Sequence, residues 1–240
     1  MTEQLYRADA YLRECQALVL AVNERGGIVL DRTVFYASAG GQPGDRGVLE
    51  VEVGLSCPIA ATVYDADKTT IVHVPAEGTT APKVGQSVRA AIDWDTRKKL
   101  MRMHTCLHLL CALVEFPVTG VQVGAQEGRL DFDIEDADSV DKDRLTDTLN
   151  RLIAADHPVT ERWITDAELE ANPSLVRTMA VKPPMGSGRV RLVEIGAGGS
   201  VDLQPCGGTH VRRTSEIGRV VVTKIEKKGK LNRRIRVAFA

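Results

Sequence analysis

The tightest constraint on this chain is a set of metal-type side chains split between two remote segments: His104 and His108 in His104-Thr105-Cys106-Leu107-His108, and Cys206 and His210 in Cys206-Gly207-Gly208-Thr209-His210. Imidazole nitrogens together with a thiolate suit tetrahedral Zn2+. Residues 100–110 carry apolar side chains at helical spacing, so a helix is predicted, and His104 and His108 project from one face of it. Pro205 precedes Cys206 and two glycines follow it, which predicts a tight loop able to wrap an ion. Either pair alone is a weak signal. The competing interpretation is a half-buried helix with hydrogen-bonded histidines beside an unrelated glycine turn. Together the pairs use three of the chain's five histidines, which favours the metal site. Peptide hydrolysis is disfavoured, because a zinc protease places a general-base Glu after the first His and here that position is Thr105.

Cysteine usage agrees with a metal site. The five cysteines, at 15, 57, 106, 111 and 206, are odd in number and scattered, which is no disulfide framework. No apolar run approaches the roughly 20 residues that span a bilayer, and Met1-Thr2-Glu3-Gln4 lacks a basic, apolar leader, so a cytoplasmic protein with no membrane partner is expected. The formal net charge of −1 does not mark a nucleic-acid binder, so any RNA surface has to be local.

The chain is long enough for two cores, and the expected fold class is α+β, an N-terminal small β-barrel followed by an α+β metal-containing domain. Short β-branched or alternating runs at 17–22, 27–30, 47–53, 61–64, 70–74 and 87–94 predict the barrel, giving domains at 1–94 and 95–240. Asp95 or Thr96 is the expected cap of the histidine helix, which should stop near 115 before Phe116-Pro117. Further elements are expected as a strand at 128–134, a helix at 141–156, a strand at 159–164 and a short helix at 166–172. A loop at 182–188 precedes strands at 190–195, 218–225 and 234–239, the last two forming a hairpin.

Two more segments stand out. Gly40, Gly41, Gln42, Gly44 and Asp45 form a glycine-rich motif that is not a P-loop, because no Gly-Lys-Ser/Thr follows. It reads equally well as a barrel turn or as a substrate-contacting backbone. Lys224, Lys227, Lys228, Lys230, Arg233, Arg234 and Arg236 crowd the C-terminal hairpin against one acid, Glu226, and Lys182, Arg189 and Arg191 would extend them. This run is either a solvated edge or a phosphate-binding patch. Cys106 neighbours both helix histidines along the chain and is a candidate for oxidation sensitivity. His73 and His157 read as ordinary histidines.

Residues 102–110, the block Pro205-Cys206-Gly207-Gly208-Thr209-His210-Val211-Arg212-Arg213-Thr214-Ser215-Glu216-Ile217-Gly218, and the glycine-rich segment 35–47 together resemble the signature blocks of alanyl-tRNA editing domains, in the form of the free-standing medium-length AlaX family. The resemblance spans nearly the whole chain. It implies a hydrolase of the ester in tRNA(Ala) mischarged with serine or glycine, with His104, His108, Cys206 and His210 as Zn2+ ligands and no obligate protein partner. Gln122 stands where the family has a Gln lining the editing pocket, and Gln122 and Thr105 are the candidate polar groups orienting substrate. Ala125 replaces the usual hydroxyl residue, and Ala37 and Ser38 replace the usual Pro and acid of the glycine-rich motif. Three protein ligands would leave a place for water, whereas four resemble a closed structural site. One alternative is therefore a non-catalytic tRNA-binding module stapled by zinc; another, editing of Ser-tRNA(Thr) as in a related editing domain, is disfavoured by the Cys206–His210 block and the glycine-rich motif.

Overall fold

The computed structural model describes residues 2–51, 54–134, 140–176, 188–229 and 231–240. The chain divides after Lys98 into two compact units. The overall class is α+β with few helices and one closed six-stranded barrel.

The first unit contains β1 (Glu3–Gln4), β2 (Glu14–Val22), β3 (Ile28–Leu30), β4 (Arg32–Thr33), β5 (Gly47–Val51), β6 (Leu55–Tyr64), β7 (Ile71–Pro75) and β8 (Ser87–Ile92). Strands close in the order β2-β3-β7-β6-β5-β8, which leaves no free sheet edge, while β1 pairs in parallel with β4. Alternation does the sorting: along β8 Val88, Ala90 and Ile92 turn inward, onto Val19, Leu30, Phe35, Leu49 and Ile59. Strand β6 is longer than expected because Pro58 does not interrupt it. Pro58 sits opposite Val48 and just beyond the first β6–β7 pair, Ile59 with Pro75, where no ladder N–H is required.

The glycine-rich motif is part of this unit's framework. Gly40 and Gly41, at φ 56° and 80°, make a two-residue turn closed by reciprocal Ala39–Gln42 backbone hydrogen bonds of 3.2 and 2.9 Å. A Cβ on Gly44 would lie 1.8 Å from the Thr62 carbonyl oxygen, so no larger residue fits that approach. Gln42 is buried. The Asp45 carboxylate accepts from the Tyr36 N–H (2.6 Å) and from Arg97 Nε (2.9 Å). Arg97, fully buried, also donates to the carbonyls of Ala10 (2.9 Å) and Val34 (2.7 Å), so its charge is paired and its donors are used. His73 is likewise buried and satisfied, between Thr33 Oγ1 (2.8 Å) and the Ile28 carbonyl (3.1 Å).

Helix α1 (Trp94–Leu113) crosses the division. Its cap is Asp93, not Asp95 or Thr96: Asp93 accepts from the Thr96 N–H (3.1 Å) and hydroxyl (2.7 Å), starting the helix two or three residues earlier than expected. From Leu100 to Leu110 nearly every side chain is buried, so the helix is enclosed rather than amphipathic.

The second unit adds β9 (Val118–Gln122), β10 (Glu127–Asp133), α2 (Lys142–Ala154), β11 (Val159–Thr165), α3 (Asp166–Ala171), β12 (Arg189–Ile195), β13 (Asp202–Pro205), β14 (Val220–Lys227) and β15 (Asn232–Phe239). One antiparallel sheet runs β14-β15-β10-β9 and a second runs β11-β12-β13. Asp141 caps α2 through the Arg144 N–H (2.7 Å), and Leu145, Leu149 and Ile153 form its buried stripe. Asn150 clamps α2 to β14, donating to the Val220 carbonyl (2.8 Å) and accepting from its N–H (3.1 Å). Strands β9 and β13 are additions to the expected elements; residues 203–205, expected as loop, pair with β12 and deliver Cys206 from a strand end. The expected loop at 182–188 lies, apart from Gly188, outside the described residues.

Candidate metal centre

The two predicted pairs meet in the second unit. One ligand atom from each of His104, His108, Cys206 and His210 lies within 4.8 Å of the other three. Cys206 Sγ is 3.5 Å from His104 Nε2 and 3.3 Å from His210 Nε2. Nitrogen and sulfur donors on a tetrahedral zinc ion stand about 3.5 Å apart, given bond lengths of about 2.0–2.1 and 2.3 Å, so the spacing fits that ion. The three imidazoles are buried.

Anchoring of the outward nitrogens strengthens the fit. His108 Nδ1 lies 2.8 Å from Asp202 Oδ2, which also accepts from Gln204 Nε2 at 2.9 Å. The carboxylate takes the Nδ1 proton and leaves Nε2 for a metal. Thr105 does the same for His210. Its hydroxyl donates to the Met101 carbonyl (3.0 Å), so at 3.2 Å it must accept from His210 Nδ1, and it also accepts from the Val211 N–H (3.2 Å). One donor and two acceptor positions are then all in use. Thr105, expected to orient substrate, has its donor and both acceptor positions taken by protein groups, the candidate ligand His210 among them.

The loop is held from β12. Arg191 donates to the carbonyls of Cys206 and Gly208, both at 2.9 Å, and is paired with Glu161. The Gly208 N–H lies 3.4 Å from Cys206 Sγ and favours the thiolate. On the helix side, Arg102 donates to the Ile217 carbonyl (Nε, 2.8 Å) and stacks on Phe239, tying α1 to the segment after the loop. Burial alone would raise the Cys206 thiol, but the neighbouring His104 charge and hydrogen bonds from His104 and His108 hold it well below its ordinary value. Burial and the neighbouring His104 charge push His210 well down, to the neutral form. Burial also opposes charge on His108, yet its bonds to Asp202 and Cys206 outweigh it and raise the imidazole to about 10. A metal binding here would displace that proton.

The other expected site residues are less concentrated. Gln122, exposed at the end of β9, accepts from Arg129 Nε at 2.9 Å. Cys106 is buried, and burial pushes its thiol up to about 12, which removes the thiolate needed for ready oxidation. The basic hairpin is partly neutralised: Arg234 pairs with Asp131 (2.8 Å), Arg236 with Glu127 and Glu226 (both 2.7 Å), and Lys224 and Lys228 reach Glu226 at 3.1 and 3.5 Å. Arg233, only 4% exposed, turns its guanidinium to the Gly229 and Asn232 carbonyls. Arg191 is turned inward in the same way, to the Cys206 and Gly208 carbonyls. Lys224, Lys227 and Lys228 are exposed, and Lys230 lies outside the described residues. Asp202, Gln204 and Glu161 escape sequence reasoning. A signal for the first two exists: the alternation leading into Pro205-Cys206 places Asp202 and Gln204 on one strand face, and a ligating His calls for such an acceptor.

Residues 190–236 match the family model for the threonyl and alanyl tRNA synthetase second additional domain, and residues 10–96 match that for class II (A) tRNA synthetases. The chain is similar to the alanyl-tRNA editing protein AlaX-M of Methanosarcina acetivorans, with 37% identity covering 98% of both chains. It is similar also to the AlaX-M protein of Saccharolobus solfataricus, at 31% identity over 98% of both. An alanine–tRNA ligase from Pyrobaculum neutrophilum is 35% identical over 94% of this chain, which spans 25% of that enzyme.

Proposed function

The chain belongs to the alanyl-tRNA editing protein family, and we propose from that premise that it is a zinc-dependent trans-editing hydrolase that deacylates tRNA(Ala) mischarged with serine first and glycine second. The observation that carries this reading is the convergence of His104, His108, Cys206 and His210 in a chain whose family relatives it matches end to end. Zinc is favoured over a harder cation because the donors are three imidazoles and a thiolate, with no carboxylate among them. When bound, such an ion supplies a Lewis acid for an ester carbonyl or for water.

The chain's own residues do the positioning. Asp202 and Thr105 lock the rings of His108 and His210 with Nε2 turned inward, and Arg191 fixes the loop that presents Cys206. An aminoacyl ester is already reactive, so catalysis needs orientation more than a strong base. Gln122, exposed at the end of β9, is the candidate that would hydrogen-bond the seryl hydroxyl, with its carbonyl oxygen already committed to Arg129 and its amide donors left for substrate. A polar partner of this kind rejects alanine better than size alone, since alanine would leave it unpaired. Lys224, Lys227 and Lys228 would contact tRNA phosphates. In this scheme residues 1–94 form the barrel domain and 95–240 the editing domain.

Four protein ligands favour one second reading, a tRNA-binding module in which zinc only staples α1 to the loop. Rates of deacylation of seryl-, glycyl- and alanyl-tRNA(Ala), with seryl-tRNA(Thr) alongside, separate the two. Loss of serine and glycine with alanine spared, abolished in a folded His104→Ala variant, supports editing of tRNA(Ala). Absence of hydrolysis on every substrate leaves the stapled module. Hydrolysis confined to seryl-tRNA(Thr) reassigns the substrate.

A further inference from the structure

The three-stranded sheet of the second unit carries an aromatic feature that the metal centre does not use. Trp163, on edge strand β11, is 40% exposed, and the Arg189 guanidinium lies 4.7 Å from its ring centroid. An indole of this size left in solvent with a cation against it offers stacking area and positive charge together.

Its register is what gives it meaning. Trp163 pairs directly across from Arg191, and Gln204 and Asp202 pair with Val193 and Ile195 on the other side of β12. Residues two apart on a strand share a face, and so do cross-strand partners. Trp163, Arg189, Arg191, Gln204 and Asp202 therefore line one face of the sheet. At one end of that face Asp202 holds the metal-site His108, in the middle Arg191 holds the Cys206 and Gly208 carbonyls, and at the other end stands the exposed Trp163–Arg189 pair. Asp202 is in register with Ile195 and Trp163 with Arg191, four residues along β12, so two strand spacings and that offset put them roughly 16 Å apart. That is the scale of two or three nucleotides.

We propose that Trp163 and Arg189 form a stacking platform for the unpaired 3′-terminal bases of the aminoacyl-tRNA, holding them while the ester lies at the metal centre. The inference rests on the proposed editing function for its substrate. It adds the subsite that receives the single-stranded end. Because stacking is tolerant of base identity, the platform grips the end common to tRNAs and does not select tRNA(Ala). Substrate binding, rather than the chemical step, is where its loss is felt.

The chain has two tryptophans, so a Trp94→Phe variant reports on Trp163 alone. Titration of that protein with deacylated tRNA(Ala) should quench Trp163 emission saturably, and tRNA lacking its last three nucleotides should quench far less. Kinetically, Trp163→Leu should raise KM for seryl-tRNA(Ala) about tenfold with kcat little changed, and Trp163→Phe should restore most of the loss. Unchanged emission while labelled tRNA binds, or an unchanged KM in Trp163→Leu, would overturn the platform. If the parent protein deacylates nothing, the editing function falls, while end-dependent quenching still decides the stacking surface.

Discussion

At the scale of single residues, Asp202 is the side chain on which the metal centre's geometry most depends. Its Oδ2 holds both His108 and Gln204, and its Oδ1 is buried without a hydrogen-bond partner, so the carboxylate is kept in place at a cost. Asp202→Asn removes the charge behind His108 and is expected to weaken zinc affinity about 10- to 100-fold, as measured by competition with a chromophoric chelator. His73 sets a second expectation. Burial drives its imidazole down from the ordinary 6.5 to about 4, against a smaller opposing effect of the Ile28 carbonyl. Between those values the unfolded chain binds the proton and the folded one does not, so stability falls as pH drops from 6.5 toward 4, by up to about 1.4 kcal/mol per pH unit. Urea midpoints measured across that window should show the slope in the parent and lose it in His73→Gln. That His104, His108, Cys206 and His210 belong together can be read from the sequence because their chemistry is rare in this chain, and the fold brings them together. The partners of Thr105 are not legible in the sequence, because its hydroxyl meets the distant His210.

Elements show where local pattern suffices and where tertiary context takes over. Helix α2 is legible because a capping Asp141 and a buried stripe of Leu145, Leu149 and Ile153 agree; Asp141→Ala should cost about 1 kcal/mol in chemical denaturation. Strand β13 is not, because its last residue is Pro205 and the following glycines read as loop throughout, whereas pairing with β12 decides its conformation. Strand β9 escapes for a related reason: Gly120 sits in its middle and pairs with Asp131, and β10 supplies the order that local propensity lacks. The glycine-rich motif is recognisable but ambiguous, since nothing local reveals that Asp45 meets the buried Arg97 on α1. Breaking that pair leaves a buried charge alone, so Asp45→Ala should cost about 3–5 kcal/mol by the same measurement.

At the scale of the whole molecule, a net charge of −1 hides an uneven surface. Several hairpin cations that sequence groups together are spent on Glu127, Asp131 and Glu226, acids brought to them by strand pairing. Lys224, Lys227 and Lys228 stay exposed, and the pairs of Lys224 and Lys228 with Glu226 are solvent-exposed on the lysine side. Their joint replacement by Ala should weaken tRNA binding and flatten its dependence on log salt, by about 0.7–0.9 for each phosphate no longer neutralised, read from binding isotherms at several salt concentrations. Among the described residues no helix is long and apolar enough to cross a membrane. The most direct test of a working zinc centre is the rate of seryl-tRNA(Ala) deacylation followed as zinc is stripped by a chelator and then restored, with bound zinc and far-ultraviolet circular dichroism recorded at each step. The rate should fall and recover in proportion to bound zinc while the fold persists. Full hydrolysis by folded, zinc-free protein would contradict a catalytic metal held by His104, His108, Cys206 and His210.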